Sequence, residues 1–177
     1  GAMDLPIKEI PWGYHEVKDR DVALKGYFQS YKYFEREDIE PLFNFKEYPS
    51  PCVGDFISVH VRRGDYDPRY HVILDEDYYG NALSLLPYDV TIIVFTDDIK
   101  IASSVVPFYD DIISSPHDMA MMTQAKYSII ANSSFSWWGA YLSKAEKIIY
   151  PSQWFGKELI KHGYNTKDMC PPNWIEI

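Results

Sequence analysis

The stretch that most constrains the fold is F-I-S-V-H-V-R-R-G-D-Y, residues 56–66. It begins with apolar and β-branched residues, which is the composition of a buried strand. It ends in R-R-G-D, so two cations, a turn glycine and a carboxylate lie where a core strand leaves the core. Arginine presents a planar fork of five donors that fits phosphate oxygens. The stretch therefore predicts a strand end that grips a phosphate-bearing ligand.

Short apolar runs and amphipathic segments alternate from residue 55 onward. Such alternation is typical of right-handed βαβ units, so the sequence predicts an α/β fold with a Rossmann-like parallel sheet flanked by helices on both faces. The expected strands are 55–61, 90–95, 111–113, 127–131 and 147–150, and the expected helices are 76–86, 98–105, 117–126 and 134–144.

Residues 4–50 differ from the rest in their prolines, scattered aromatics and mixed charge. We expect a helical or linker segment packed on the domain, with helices over 19–33 and 35–43. Residues 51–177 are then the Rossmann-like domain. Residues 1–3 match the scar of an expression tag.

Composition narrows the partners and the compartment. The net charge is 17 − 26 = −9, which argues against nucleic acid as a partner. The two cysteines, Cys52 and Cys170, suit a reducing compartment. No transmembrane run and no signal peptide are visible, so we expect a cytoplasmic protein.

Polar residues follow each expected strand at its carboxyl end. In open α/β sheets ligands bind at that edge, so we expect these residues to form one site. They are Arg62, Arg63 and Asp65 after the first strand, Thr96, Asp97 and Asp98 after the second, Ser115 to Asp118 after the third, Asn132, Ser133 and Ser134 after the fourth, and Pro151, Ser152 and Trp154 after the fifth.

Several of these residues have a structural alternative. Arg62 and Arg63 leave the strand in opposite directions, so one faces the ligand while the other pairs with Asp65 or packs under the loop. The alternative for this turn is a surface salt bridge. His60 has the same facing as Arg62, and it is either a hydrogen-bonded core residue or a ligand contact.

The other candidates sit at helix starts. Asn132, Ser133 and Ser134 precede a helix, where they either form a cap or create an anion site. The sequence favours helix capping by Asp97 and Asp98 over a role as a pair of metal ligands. Contact with sugar hydroxyls is a lesser option for these two carboxylates. An Asp at 118 caps a helix or accepts the N–H donors of a guanine edge.

Five sequence blocks, taken together, resemble glycosyltransferase family 11, the α-1,2-fucosyltransferases. They are G-Y-F-Q-S-Y-K-Y-F at 26–34, H-V-R-R-G-D-Y at 60–66, F-T-D-D at 95–98, N-S-S-F-S-W-W-G at 132–139 and I-I-Y-P-S-Q-W-F at 148–155. The resemblance implies the C-terminal half of a GT-B fold, which binds GDP-fucose as donor. It also implies inverting transfer to the 2-hydroxyl of a galactoside-containing glycan, with no required metal or other cofactor.

The resemblance also implies roles for individual residues. Arg62 would contact the β-phosphate and stabilise departing GDP, while His60 and Asp118 would approach guanine. Ser133, Ser134 and Phe135 would line the phosphate side. A carboxylate would take the acceptor proton, and Asp65 is the catalytic candidate, with Asp67 beside it.

The glycine-rich block with which family members open is absent. We therefore expect the chain to correspond to their C-terminal part, with a possible N-terminal half or partner domain elsewhere. The alternative function is a non-catalytic module that binds a GDP-sugar or a glycan, and a third is a phosphate-sensing or protein-interaction domain. A bacterial or viral protein is expected, or a lumenal one if the chain belongs to a larger protein.

Overall fold

A six-stranded parallel sheet forms the centre of the protein. The computed structural model describes residues 5–43, 45, 54–114 and 118–177. The strands, in chain order, are β1 (Ile7–Glu9), β2 (Ala23–Lys25), β3 (Phe56–Val61), β4 (Thr91–Thr96), β5 (Asp111–Ile113), β6 (Tyr127–Ile129), β7 (Lys147–Tyr150) and β8 (Ile175–Glu176). Strands β1 and β2 form a separate parallel pair, and the other six form the central sheet.

The order of the central sheet creates a switch point between β3 and β6. The spatial order is β5-β4-β3-β6-β7-β8, and every neighbouring pair is parallel. The chain runs outward from β3 to β5, returns to the centre at β6 and runs outward again to β8. This is the strand order of the Rossmann fold, in which ligands bind where the direction reverses. The predicted α/β class is confirmed.

Helices cover both faces of this sheet. They are α1 (Arg36–Ile39), α2 (Glu76–Ser84), α3 (Ile99–Val105), α4 (Asp118–Met122), α5 (Ser134–Leu142) and α6 (Lys157–Lys161). Side chains alternate along β3, so Ile57 and Val59 pack in one core with α2 and α3, while Phe56 packs with Met122 of α4 on the other face. All six residues of β3 are buried, as the sequence predicted.

The helix predicted over 19–33 is wrong. Residues 23–25 are extended because Ala23 pairs with Ile7 in the β1–β2 ladder. Asp21 has a φ of 57°, which an α-helix does not allow. A single 3-10 turn, Tyr31–Tyr33, forms where the prediction placed the end of the helix. The shorter helix expected near 35–43 is present as α1 and a following 3-10 turn.

Arg36 fastens the N-terminal segment to the C-terminus of α5. Its guanidinium donates to the carbonyls of Tyr141 at 2.8 Å, Leu142 at 2.7 Å and Ser143 at 2.7 Å. The last carbonyls of a helix have no helical partner and carry the negative end of its dipole. One cation therefore caps α5 and docks residues 36–42 on the domain.

Some predictions fall outside the described residues. These are the domain boundary between residues 50 and 51, the environment of Cys52, the expected site residues 115–117, and the start at residue 117 of the helix predicted over 117–126. Among the helices that the structure does describe, none has both the length and the apolar character needed to cross a lipid bilayer.

Candidate functional site

A cleft of about 800 Å³ opens at the carboxyl edge of the sheet, at the switch point between β3 and β6. One side is mainly polar and is lined by His60, Arg62, Thr96, Asp97, Ser114, Asp118, Asn132, Ser133 and Ser134. The other side is mainly aromatic and is lined by Trp12, Tyr27, Trp154, Phe155 and Tyr164, with Phe135, Tyr66 and His71 at the junction. The convergence of strand ends that the sequence predicted is therefore present.

Two carboxylates orient Arg62 on the cleft wall. Its guanidinium pairs with Asp97 and donates to Asp65 at 2.7 Å, and it lies 5.8 Å from the ring centre of Tyr66. The side chain is 32% exposed, so it is fixed but reachable from the cleft. These two bonds use two of the five donors of a guanidinium, which leaves others for an anionic ligand.

Asp97 organises the turn that follows β3. Besides pairing with Arg62, its carboxylate accepts the backbone N–H of Arg63 at 3.2 Å and that of Gly64 at 3.1 Å. A Cβ on Gly64 would lie 2.7 Å from Asp97 Oδ2, so a side chain there would push the carboxylate away. Glycine at the third position of the R-R-G-D sequence therefore leaves the Asp97 carboxylate in the place where it pairs with Arg62.

The first turn of α5 faces the same cleft. Ser133 caps the helix by accepting the N–H of Phe135 at 3.3 Å. The N–H groups of this turn and the positive end of the helix dipole favour an anion at this position. Arg62 and the start of α5 thus lie on the walls of one cleft, and the binding of an anion between them stays a prediction.

Asn132 and Tyr66 hold the loop that leads into α5. The amide nitrogen of Asn132 donates to the carbonyls of Val72 and Trp154, both at 2.9 Å. The Tyr66 hydroxyl donates to the Asn132 carbonyl at 2.6 Å. Burial raises the pKa of Tyr66, so this hydroxyl stays a donor at neutral pH. The two side chains fix α5 relative to the turn that carries Arg62.

His60 is a neutral, buried imidazole at the floor of the cleft. Burial lowers its pKa to about 4, and the Arg62 cation contributes in the same direction, whereas Asp97 opposes the shift. Its Nδ1 is buried and has no hydrogen-bond partner among the described residues. The ring centre lies 5.7 Å from that of Phe135. At pH 7 this residue can offer one ring donor or acceptor without adding charge.

Five residues of the sequence-based site lie off the cleft. Two of them, Pro151 and Ser152 after β7, line a separate pocket. The Arg63 side chain donates to the Leu74 carbonyl at 3.3 Å, under the turn, as strand alternation predicted for one of the two arginines. Asp98 caps α3 by accepting the N–H of Ile101 at 3.1 Å. Asp65 contacts Arg62 from outside, with a side chain that is 74% exposed. Binding by Arg63 and Asp98 and catalysis by Asp65 stay predictions, and the structure places none of these side chains on the wall.

Comparison with known proteins identifies the family. The model for glycosyl transferase family 11 matches residues 43–177, which include the Arg62 turn and α5. The chain belongs to glycosyl transferase family 11. This identification agrees with the resemblance carried by the five sequence blocks.

Three curated relatives match this family 11 chain. An alpha-1,2-colitosyltransferase from Escherichia coli is 33% identical over an alignment of 186 positions, which covers 88% of the chain and 62% of that protein. The O-antigen biosynthesis glycosyltransferase WbnK, also from Escherichia coli, is 36% identical over 139 residues, which cover 68% of the chain and 44% of the relative. A Caenorhabditis elegans protein with the provisional name galactoside 2-alpha-L-fucosyltransferase svh-11 is 24% identical over an alignment of 208 positions, which covers 97% of the chain and 57% of that protein.

The chain thus spans about half to three-fifths of the length of these relatives. No solved structure gives a significant match.

Sequence reasoning missed the aromatic wall of this family 11 cleft. The Trp12 ring stacks on Tyr164 at 4.4 Å and meets the edge of Phe155 at 5.0 Å, and its indole N–H donates to the Asn165 carbonyl at 2.8 Å. The high aromatic content and the aromatic-rich block at 26–34 were the available signals. Neither signal could show that the N-terminal segment completes the cleft, because residues 12 and 164 are far apart in sequence.

His71 is a second residue that the sequence did not single out. Its ring stacks on Tyr66 with centres 4.3 Å apart, and its backbone forms an antiparallel bridge with Phe155. It therefore joins the polar and aromatic sides of the cleft.

Across the described ranges, no group of three or more His, Cys, Asp or Glu side chains is arranged to hold a metal ion.

Proposed function

We propose that the cleft binds GDP-fucose, or a GDP-sugar closely related to it, with the diphosphate between Arg62 and the first turn of α5. The observation that carries the proposal is that these two anion-binding features line one cleft at the switch point of a Rossmann-type sheet. Membership of family 11 and the fucosyl and colitosyl names of two relatives support this donor class.

The base of the donor would lie against Asp118, in the cleft that His60 also lines. Asp118 is buried at the start of α4 and lines the cleft. A carboxylate accepts two N–H donors, and guanine presents two on its Watson–Crick edge whereas adenine and uracil do not. His60 lines the same cleft and is neutral, so it would supply a hydrogen bond without repelling the ligand. Guanine is therefore the base that these groups fit best.

The reaction we propose is a single displacement with inversion. The 2-hydroxyl oxygen of a galactoside forms a bond to the anomeric carbon of the donor sugar while the bond from that carbon to the β-phosphate oxygen breaks. Negative charge then grows on the diphosphate, where Arg62 and the α5 amides stabilise it. Pre-placed donors of this kind contribute about 3–4 kcal/mol each to catalysis.

The acceptor proton goes to a base, and Asp65 stays the candidate. Of the two carboxylates nearest in sequence to Arg62, Asp67 is the poorer base, because hydrogen bonds from Arg69 lower its pKa to about 2. Asp65 is held by one bond to Arg62 and is otherwise exposed.

A transfer assay tests this function. Labelled fucose from GDP-fucose should appear on a β-galactoside, with the product carrying an α-1,2 linkage. GDP-colitose should be run in parallel, because colitose differs from fucose only in lacking the 3-hydroxyl. Transfer from UDP-galactose or GDP-mannose at the same rate, or the absence of transfer together with no binding of GDP, would contradict the proposal.

A non-catalytic module that binds a GDP-sugar or a glycan is the second candidate. The observation in its favour is that the chain covers only 62%, 44% and 57% of its three relatives. This second function would be favoured if the chain binds GDP but transfers no sugar, and if adding the rest of a longer family member restores the transfer. Transfer by the chain alone would exclude it.

A further inference from the structure

A second cavity, of about 340 Å³, adjoins the cleft at the start of α5. We name it the aromatic cavity, because its walls include the rings of Tyr27, Phe28, Phe34, Trp137, Trp138 and Trp154. Four residues line both the cavity and the cleft, and they are Tyr27, Gln29, Ser134 and Trp154. A ligand in the cavity and a ligand in the cleft would therefore meet beside Ser134.

The aromatic cavity has rigid apolar walls and polar groups at its shared edge. Phe34 stacks on Trp138 with ring centres 5.1 Å apart and meets Trp137 edge-on at 6.0 Å. The Gln29 amide and the Ser134 hydroxyl lie at the boundary with the cleft. Apolar walls with a few polar groups that fix orientation are typical of small-molecule sites.

The loop that closes the aromatic cavity has a strained backbone. Phe28 has a φ of 52°, which is rare for a bulky residue. The strain is maintained by Ser30, whose buried hydroxyl donates to the Asp168 carbonyl at 2.6 Å and whose N–H donates to the Phe28 carbonyl at 2.9 Å. Strain of this kind persists where the surroundings impose it and concentrates at binding sites. The loop thus holds the Phe28 ring against the cavity.

We infer that the aromatic cavity binds one galactose-type pyranose of the acceptor, with its C–H face on the rings and its hydroxyl edge toward Ser134 and the cleft. This inference rests on the proposed function for the donor and adds where the acceptor lies. A volume of about 340 Å³ is near the lower end for ligand sites and suits a single sugar unit. The axial 4-hydroxyl of galactose leaves the C–H groups of carbons 3, 4 and 5 together on one face, whereas the equatorial 4-hydroxyl of glucose does not.

Ligand-observed NMR with methyl β-D-galactopyranoside tests the inference on the wild-type chain. Saturation should pass from the protein to the protons on carbons 3, 4 and 5, and methyl β-D-glucopyranoside should bind at least tenfold more weakly. No saturation transfer to the galactoside, or equal binding of the two sugars, would overturn the inference.

Two ring substitutions locate the binding. Trp138→Leu and Phe28→Leu should each weaken galactoside binding at least tenfold and leave GDP binding unchanged, and the second variant covers the case that the first does not fold. Tyr88→Leu is the matched control, because Tyr88 is 99% exposed and lies outside the cavity. Wild-type binding in folded Phe28→Leu, or an equal loss in Tyr88→Leu, would refute the assignment.

GDP titration separates this inference from the proposed function. Arg62→Ala should lose GDP binding and keep galactoside binding, which is the reverse of the pattern for Phe28→Leu. If the wild type binds the galactoside in the cavity but not GDP, the donor proposal fails and the cavity assignment stands. If it binds GDP but not the galactoside, the donor proposal stands and the cavity assignment fails.

Discussion

Replacing Arg62 by alanine should remove most of the affinity for GDP without unfolding the protein. The guanidinium is the one cation among the cleft-lining residues that the structure describes. Its pairs with Asp65 and Asp97 are partly exposed, and exposed ion pairs contribute about 0–1 kcal/mol each. Asp97 keeps the N–H donors of Arg63 and Gly64, so the turn retains its shape. The expected loss of fold stability is therefore about 1 kcal/mol.

The effect on GDP should be larger. Hydrogen bonds to charged groups are worth about 1.5–3 kcal/mol, and we take about 2.7 kcal/mol for Arg62, because both partners, the guanidinium and the diphosphate, are charged. That is about a 100-fold increase in Kd. At a GDP concentration of 100 times the wild-type Kd, ligand stabilisation should fall from about 2.7 to about 0.4 kcal/mol.

Thermal unfolding with and without GDP measures this difference. For a chain of this size about 1 kcal/mol corresponds to about 2–4 °C, so GDP should raise the wild-type Tm by about 5–10 °C and that of Arg62→Ala by about 1–2 °C. Arg63→Ala is the matched control, because it removes the neighbouring guanidinium, which lies off the cleft, and it should keep the wild-type shift. A full GDP shift in folded Arg62→Ala, or an equal loss in Arg63→Ala, would refute the reasoning.

Three further predictions concern the fold and its pH dependence. Arg36→Ala should lower the free energy of unfolding by about 2–3 kcal/mol, because three carbonyls at the end of α5 lose a charged donor. Urea unfolding measures this loss, and Arg36→Lys should recover only part of the lost stability. A loss below about 0.5 kcal/mol in Arg36→Ala would contradict the prediction. His60 has a pKa lowered by burial to about 4 from the ordinary 6.5, so between these pH values the unfolded chain binds a proton that the folded chain does not. Stability should therefore fall as pH drops from 6.5 to 4, by up to about 1.4 kcal/mol per unit from this residue, and His60→Gln should lack that part of the slope in urea unfolding at a series of pH values. Gly156→Ala should cost about 1–3 kcal/mol, because the new Cβ would lie 2.5 Å from the Arg69 carbonyl oxygen, which is backbone and cannot rotate away. Gly80→Ala, in α2 with open space around it, should instead stabilise by about 0.5–1 kcal/mol, and the same sign for both glycines in urea unfolding would count against this account.

The sheet and its helices could be predicted because their signals are local. Strands β3, β4 and β7 are apolar runs that end at turn or polar residues, and helices α3 and α5 begin after Asp98 and Ser133, which are good caps. The polar strand ends could be read in the same way. Parallel strands place their carboxyl ends at one edge, so the convergence of Arg62 and α5 followed from the pattern alone.

The remaining features depend on contacts between residues distant in sequence. Residues 23–25 have no strong strand pattern and are extended because Ile7–Glu9 lies beside them. Short β8 and α6 are stabilised by their neighbours more than by their own sequences. The aromatic cavity joins the loop at 26–30 to α5, and a sequence pattern carries no information on that pairing.

Side-chain direction was only partly predictable. Alternation along a strand separates Arg62 from Arg63 but does not say which one faces the cleft. The structure settles this for the described residues, since the Leu74 carbonyl binds Arg63 and Asp97 binds Arg62. Asp98 likewise caps α3, which is the alternative favoured from sequence.

The most direct test of the central claim is an amide NMR titration of the ¹⁵N-labelled protein with GDP. We expect the largest shifts at the backbone amides of Ser134, Phe135 and Ser136 and at the guanidinium of Arg62, and much smaller shifts with ADP at the same concentration. If saturating GDP leaves these signals unchanged and shifts a cluster of signals elsewhere on the protein, the proposed diphosphate site is contradicted.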